Sequence, residues 1–180
     1  GWDPAYDWQG FVPFEEMPFL YNPDQGYIAT ANNKIVDDDY PYYISNQWAE
    51  PSRIERIEEW LDSKEKLTIE DMKTLQNDWL SPFAREVVPN IVRWLPQDLN
   101  ENEIIALNIL NGWDFIEDTE SAAALIFHTV LDELLHNVYE DELAMIDDKA
   151  FDALVHFSML PYRNIHWVLA EGQSSWIDDV

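Results

Sequence analysis

Two adjacent asparagines, Asn32 and Asn33, follow an alternating run of residues that predicts a β-strand over 27–31. An Asn-Pro-Asp sequence with a glycine close behind it precedes this run and is typical of a tight turn. A side-chain amide at a strand end can donate hydrogen bonds into a cleft while a rigid scaffold holds it still. The pair is therefore a candidate binding or catalytic element, and the alternative is that both are strand-end turn residues.

A second candidate is the row His128, Asp132 and His136, whose spacing of four places them along one face of a helix. A metal site would need all three to converge. The two histidines are eight residues apart, roughly 12 Å along a helix at 1.5 Å per residue, which is too far for both to ligate one ion. The spacing therefore favours a polar surface row over a metal site.

The acidic run Asp37, Asp38 and Asp39 offers the carboxylate oxygens that calcium prefers. It lacks the alternating spacing and the closing glutamate of an EF-hand loop. A solvated acidic loop is the favoured interpretation, and calcium binding is the alternative.

Aromatic residues are dense in the first fifty positions and could form a stacking platform for a carbohydrate. The competing interpretation, which we favour, is that a segment poor in aliphatic residues packs on itself through its rings. The candidate rings are Trp2, Tyr6, Trp8, Tyr21, Tyr40, Tyr42 and Tyr43.

Composition excludes several classes of function. The 180 residues contain no cysteine, which excludes disulfides, thiolate metal sites and a cysteine nucleophile. Glycine-rich phosphate loops, Gly-x-Ser-x-Gly elbows and His-Glu-x-x-His zinc motifs are also missing from the sequence. A formal net charge of -26 would repel nucleic acid and anionic membrane, so neither is an expected partner.

The elements that must position these residues change in character near residue 50. Residues 1–50 carry five prolines and read as loops, turns and one or two short strands, whereas residues 51–180 show helical spacing. We expect one domain-sized section of α+β class, mostly α, with a short β-containing N-terminal segment before a helical region.

Helix boundaries are predicted from caps and prolines. Pro51 opens the first helix, Thr68 caps the second, and Ser81 with Pro82 begins a third that Pro89 should kink or split. The longest helix is expected from Asp118, and another from Asp148 to just before Pro161. The inner face of the longest helix is predicted to carry Ala122, Leu125, Ile126 and Thr129.

Two blocks, "GWDPAYDWQGFVPFEEMPFLYNPDQGYIATANNK" and "DYPYYISNQWAEPSRIERIEEWL", resemble the penicillin acylase family of N-terminal-nucleophile (Ntn) amidohydrolases. The resemblance continues through "TIEDMKTLQNDWLSPFAREVVP" and "NGWD" to "SSWIDDV", and so covers nearly the whole chain. It implies an Ntn-hydrolase-type architecture.

The resemblance also implies roles for two residues. The first asparagine of the pair, Asn32, would donate its side-chain amide to the oxyanion of the tetrahedral intermediate. Arg53, at the start of the following helix, would position the site and the substrate. The family nucleophile is a serine at a free N-terminus that self-cleavage uncovers, and this sequence contains no Gly-Ser junction for such a cleavage.

We therefore expect a section of a longer precursor that is inactive alone and whose partner is the remainder carrying the nucleophile. The complete enzyme would hydrolyse a small linear amide, of the β-lactam side-chain or N-acyl homoserine lactone type, in the periplasm or outside the cell. No cofactor is expected in this chain. Calcium is a possible ligand of the complete enzyme, although "YYISNQW" lacks the aspartate that the family pattern would place there. The alternative is a stand-alone acidic, aromatic-rich module that binds carbohydrate or protein.

Overall fold

The structure, a computed structural model, describes Asp3, Ala5, Asp7, Trp8 and residues 10–156, 159–172 and 174–177. In this part of the chain a short 3-10 turn, Phe14–Glu16, precedes seven α-helices. The helices are α1 Ser52–Asp62, α2 Ile69–Gln76, α3 Pro82–Trp94, α4 Glu101–Asn111, α5 Ala122–Ala144, α6 Ala150–His156 and α7 Met159–Glu171.

Local capping chemistry sets several helix starts, as the sequence predicts. The Thr68 hydroxyl accepts a hydrogen bond from the Asp71 amide while the Asp71 carboxylate accepts one from the Thr68 amide, which completes a capping box on α2. Hydrogen bonds from Lys64 and then Thr68 lower the pKa of Asp71 to about 2. Ser81 caps α3 and Pro82 occupies its first turn. A proline is tolerated there because a backbone N–H at that position has no acceptor within the helix.

The core lies around α5, which packs against α4 and α6, while α7 packs against α3 and α6. Leu131, Leu135 and Tyr139 recur every four residues along α5, and each is at most 2% exposed. Phe127 adds edge-on ring contacts to Phe83, with ring centroids 6.1 Å apart. This helical core is the scaffold against which α1 is held, because α1 packs on α3.

The predicted inner face of α5 is wrong. Leu125 is 70% exposed, Ala122 and Thr129 are also exposed, and Ile126 is only half-buried. The residues near the start of α5 are almost all apolar, so the sequence is compatible with burial of either of two helix faces. These faces are about 100° apart, because each residue advances a helix by that angle. The buried set is instead Ala123, Ala124, Phe127 and Leu131, because Phe127 packs against Phe83 and Trp113.

Two prolines bear on the predicted helix ends. Pro89 lies inside α3 without splitting it, so of the two predicted effects, a kink or a split, the split does not occur. In the region of the helix expected from Asp148 the structure describes α6 and α7, and Pro161 is the third residue of α7 instead of following a helix end. A first-turn proline is tolerated because its missing amide hydrogen would have no partner within the helix.

The β-strand predicted over 27–31 is not formed, and no strand occurs among the residues that the structure describes. These residues have no neighbouring strand within the described ranges, and an isolated segment has no ladder of hydrogen bonds to stabilise it as a strand. The β-pairing in the described chain is a single antiparallel bridge between Leu80 and Ile116. The structure is therefore mostly helical, and the β-containing N-terminal segment is not present in it.

No helix in the described ranges combines the length and the apolar character that crossing a membrane requires.

Candidate functional site

The structure brings the two predicted site residues together. Arg53 Nη2 donates a hydrogen bond to Asn32 Oδ1 over 3.4 Å, although 21 positions separate the residues in sequence. A guanidinium group can only donate, so the asparagine must present its oxygen to Arg53. Within the described chain no acceptor occupies Asn32 Nδ2, which leaves that N–H pair to donate elsewhere. Both side chains are exposed.

The backbone of Asn32 is held in an unusual conformation. Its φ is 63°, in the left-handed region that asparagine adopts more readily than most residues. The Asn32 carbonyl accepts a hydrogen bond of 2.8 Å from the Ala49 amide. Ala31 and Ala49 are the buried residues of the described part of 1–50, at 6% and 7% exposure. This contact therefore docks Asn32 on the chain just before α1.

Asn33 has a different environment from Asn32. Its Oδ1 accepts from the Ala31 amide over 3.0 Å, and its Nδ2 donates to the Lys34 carbonyl over 3.1 Å. Both ends of this amide thus bond to the neighbouring backbone. Asn33 is therefore a turn residue, whereas Asn32 keeps a side-chain N–H pair that can donate.

Helix α1 anchors the segment that carries Asn32 at both of its ends. Arg53 contacts Asn32 near the helix start, and Asp62 at the helix end accepts a 3.0 Å hydrogen bond from the Tyr27 hydroxyl. The segment from Tyr27 to Asn32 therefore lies along α1. The placement of α1 consequently decides where the Asn32 amide lies.

A cleft of about 490 Å³ opens beside Arg53. Its walls come from the start of α1, the end of α2, the start of α3 and the loop before α5. They include Ser52, Arg53, Arg56, Ile57, Trp79 and Glu117.

Two residues of this cleft, Arg56 and Asp78, were missed by the sequence analysis. Arg56 Nε donates to Asp78 Oδ2 over 2.9 Å, and the side chains are 19% and 9% exposed. Burial opposes the charge of Arg56, but hydrogen bonds to Asp78 and Glu59 outweigh it and raise the pKa of the guanidinium. A usable signal was present for Arg56, which lies three residues after Arg53 and so shares its helix face, but not for Asp78.

The row His128, Asp132 and His136 does not form a site in the structure. His128 Nε2 lies 2.6 Å from Glu117 Oε2, and His136 Nδ1 lies 3.2 Å from Glu140 Oε2, so the histidines face separate glutamates. Asp132 is exposed.

The acidic run of 37–39 is an exposed loop in which Lys34 pairs with Asp38. The hydrogen bond from Lys34, followed by its positive charge, lowers the pKa of Asp38. In the described ranges no three His, Cys, Asp or Glu side chains converge to hold a metal ion.

The candidate aromatic platform is only partly assembled. Tyr40 and Tyr42 pack edge to face with centroids 5.9 Å apart, and both hydroxyls donate to Glu16. Trp8, Tyr21 and Tyr43 are instead 96%, 82% and 78% exposed. Trp2 and Tyr6 lie outside the described residues.

Comparison with known proteins places the chain in a family. All of residues 1–180 match the family described as penicillin amidase. Acyl-homoserine lactone acylase QuiP of Pseudomonas syringae pv. tomato is 28% identical over 193 residues, covering 100% of this chain and 23% of the relative. Penicillin acylase 2 proenzyme of Pseudomonas sp. strain SE83 is 34% identical over 133 residues, covering 71% of this chain and 16% of that protein.

Penicillin G acylase of Escherichia coli is 40% identical over 65 residues, covering 35% of this chain and 8% of that protein. The chain thus spans less than a quarter of the length of each of these relatives. No solved structure matches. Because the family match extends over every residue, the chain belongs to the penicillin amidase family.

Proposed function

We propose that this chain is one domain-sized section of a larger penicillin-acylase-type amidohydrolase. The complete protein would hydrolyse a linear amide and release a carboxylic acid from an amine. The substrate class is a β-lactam side-chain amide or an N-acyl homoserine lactone, since relatives carry both activities in their names. Family membership and the short span of the relatives that the chain covers support this proposal.

The observation that carries the proposal is the contact between Arg53 and Asn32. Attack on an amide carbonyl develops negative charge on its oxygen, and a fixed neutral donor aimed at that oxygen lowers the barrier. Arg53 holds Oδ1 of Asn32 at 3.4 Å, which orients Nδ2 as such a donor. In this role Asn32 stabilises the oxyanion and Arg53 positions Asn32 and the substrate.

The nucleophile would come from the remainder of the complete protein. Six serine hydroxyls of the described chain bond to nearby backbone or to a carboxylate, and none of these bonds involves the Asn32 amide. The serines with these local bonds are Ser45, Ser52, Ser63, Ser81, Ser121 and Ser174. We therefore propose that this chain alone is inactive, and the proposal requires no cofactor held by it.

The partner we propose for residues 10–50 is that same remainder, which would supply neighbouring strands and apolar contacts. Phe11, Phe14 and Phe19 are 100%, 88% and 79% exposed, as expected of a surface that another part of a protein covers. A periplasmic or extracellular location is part of the proposal and can be checked by cell fractionation.

The decisive experiment measures hydrolysis of a chromogenic acyl anilide by the complete protein and by its Asn32→Ala variant. We expect kcat to fall by about 10²- to 10³-fold, the usual effect of losing one oxyanion donor. Self-cleavage and the melting temperature should be checked in parallel, so that a folding defect is recognised.

The matched control is Asn33→Ala, because Asn33 is the neighbouring amide with only local backbone partners. This control should keep most of the turnover. Equal turnover in Asn32→Ala and the wild type, with both proteins folded and self-cleaved, would show that Asn32 is only a turn residue.

A further inference from the structure

The pair formed by Arg56 and Asp78 lies between α1 and the segment that leads into α3. Arg56 donates to Asp78 Oδ2 through both Nε and Nη2, and the Nε contact is 2.9 Å. Two donors on one carboxylate oxygen fix the direction of the arginine more tightly than a single contact. With exposures of 19% and 9%, the pair is well shielded from water, so screening weakens it less than a surface pair.

Asp78 is itself fixed by the paired backbone segments that precede α3 and α5. Its Oδ1 accepts a 2.9 Å hydrogen bond from the Leu80 amide, and Leu80 forms the antiparallel bridge with Ile116. On either side of Leu80 the backbone bonds Ser81 N–H to Phe115 O and Glu117 N–H to Trp79 O, each 2.9 Å long. Asp78 thus presents a rigid anchor to α1.

Arg53 and Arg56 are one helical turn apart on α1 and line the same cleft. Holding Arg56 therefore fixes the rotation of α1 about its axis, and with it the direction of Arg53. Arg56 Nη1 also lies 3.2 Å from Glu59 Oε2, and Glu59 in turn pairs with Arg85 of α3 at 3.3 Å. These outer contacts are more exposed than the Asp78 contact, so the Asp78 contact is the stronger constraint.

The residues around Asn32 offer few other constraints. In the described part of 1–50 the buried positions are Ala31 and Ala49, next to the Asn32 segment and just before α1. The side-chain hydrogen bonds from this segment to α1 within the described chain are those of Asn32 with Arg53 and of Tyr27 with Asp62. A shift of α1 would therefore also shift the Asn32 amide.

We infer that Asp78, acting through Arg56, is a positioning residue that sets the geometry between Arg53 and Asn32. The catalytic part of this inference rests on the proposed function, whereas the geometric part does not. A displacement of about 1 Å in a positioned group can lower turnover about 10²-fold, so we expect a loss of about 10- to 100-fold in kcat when the anchor is removed.

The test compares Asp78→Asn with Asp71→Asn in the complete protein. Asp71 is a suitable control because it is 18% exposed, pairs with Lys64 and caps α2, but does not contact Arg56. Asp78→Asn should lower kcat by about 10- to 100-fold with a smaller change in KM, whereas Asp71→Asn should leave kcat within about threefold. Arg56→Lys, which keeps the charge but loses the second donor, should give an intermediate loss.

A double-mutant comparison distinguishes a positioning role of Asp78 from a general loss of stability. In an Arg53→Ala background, Asp78→Asn should cause little further loss, because its effect passes through Arg53. Full additivity of the two substitutions, or an equal loss of kcat in Asp71→Asn, would overturn the inference.

A crystal structure of Asp78→Asn supplies a readout that needs no activity. We expect the distance from Arg53 Nη2 to Asn32 Oδ1 to lengthen beyond 3.4 Å, while Asp71→Asn keeps it. An unchanged distance in Asp78→Asn overturns the inference even if the enzyme is active. If the wild-type protein cleaves no amide but the distance lengthens, the proposed function fails and the geometric inference stands.

Discussion

At the scale of single residues, Asn32 satisfies two requirements at once. Its φ of 63° demands a residue that tolerates the left-handed region, and its side chain supplies an oxygen for Arg53 and an N–H pair that can donate. Glycine would meet the first requirement only. The residue type is thus explained by backbone and side chain together.

This double role predicts different effects for two substitutions. Asn32→Ala places a Cβ without a compensating amide at positive φ, whereas Asn32→Gly removes that strain. We expect Asn32→Gly to be more stable than Asn32→Ala by about 1 kcal/mol in urea unfolding of this chain. In the complete protein the two variants should lose turnover about equally. Equal stability of the two would show that the left-handed backbone at Asn32 carries no strain for alanine.

The sequence predicted part of this site and not the rest. The family resemblance singled out Asn32 and Arg53 as separate site residues, whereas the hydrogen bond between them is a finding of the structure. The partnership of Arg56 and Asp78 could not be read from the sequence, because 22 positions separate them and the family resemblance assigned a role to neither residue. Such a contact depends on how α1 packs against the start of α3, which is a property of the folded chain.

At the scale of the elements, the sequence predicted where helices begin but not which face of a helix is buried. Thr68 and Ser81 cap their helices as expected because a cap needs only the next three residues. The inner face of α5 was not predicted, because apolar residues surround the start of that helix and tertiary ring contacts choose between faces. The prediction of a strand over 27–31 was wrong for a related reason, because a strand needs a neighbouring strand that the described chain does not provide.

The observed face of α5 predicts the outcome of two leucine substitutions. Leu131 is 2% exposed, so Leu131→Ala removes core contacts and leaves a cavity, which should lower the free energy of unfolding by about 2–5 kcal/mol. Leu125 is 70% exposed, and Leu125→Ala should change it by less than about 0.5 kcal/mol. Chemical denaturation of this chain measures both. Equal losses would mean that both faces of α5 are covered in solution.

At the scale of the whole molecule, the helical region and residues 10–50 differ in how they are stabilised. The helices bury a continuous apolar core, whereas residues 10–50 rely on a few hydrogen bonds to α1 and expose large rings. The helical core therefore accounts for most of the buried apolar area, and the N-terminal segment adds little to it.

The charge of the molecule acts on all of these parts together. With 36 acidic against 10 basic side chains, like-charge repulsion favours the expanded, unfolded chain. Raising NaCl from 10 mM to 1 M shortens the screening length from about 30 Å to about 3 Å, so repulsion between neighbouring carboxylates falls sharply. We expect the melting temperature to rise by about 5 °C, equivalent to about 1–2 kcal/mol.

A variant with three fewer charges distinguishes this screening from a general salt effect on apolar burial. Asp98, Glu133 and Asp148 are all exposed, so the combined Asp98→Asn, Glu133→Gln and Asp148→Asn variant removes charge without disturbing the core. Its melting temperature should be higher than that of the wild type in 10 mM NaCl and should rise less with added salt. Parallel salt dependence of the two proteins, followed by circular dichroism, would instead assign the stabilisation to strengthened apolar burial, because that contribution does not depend on surface charge.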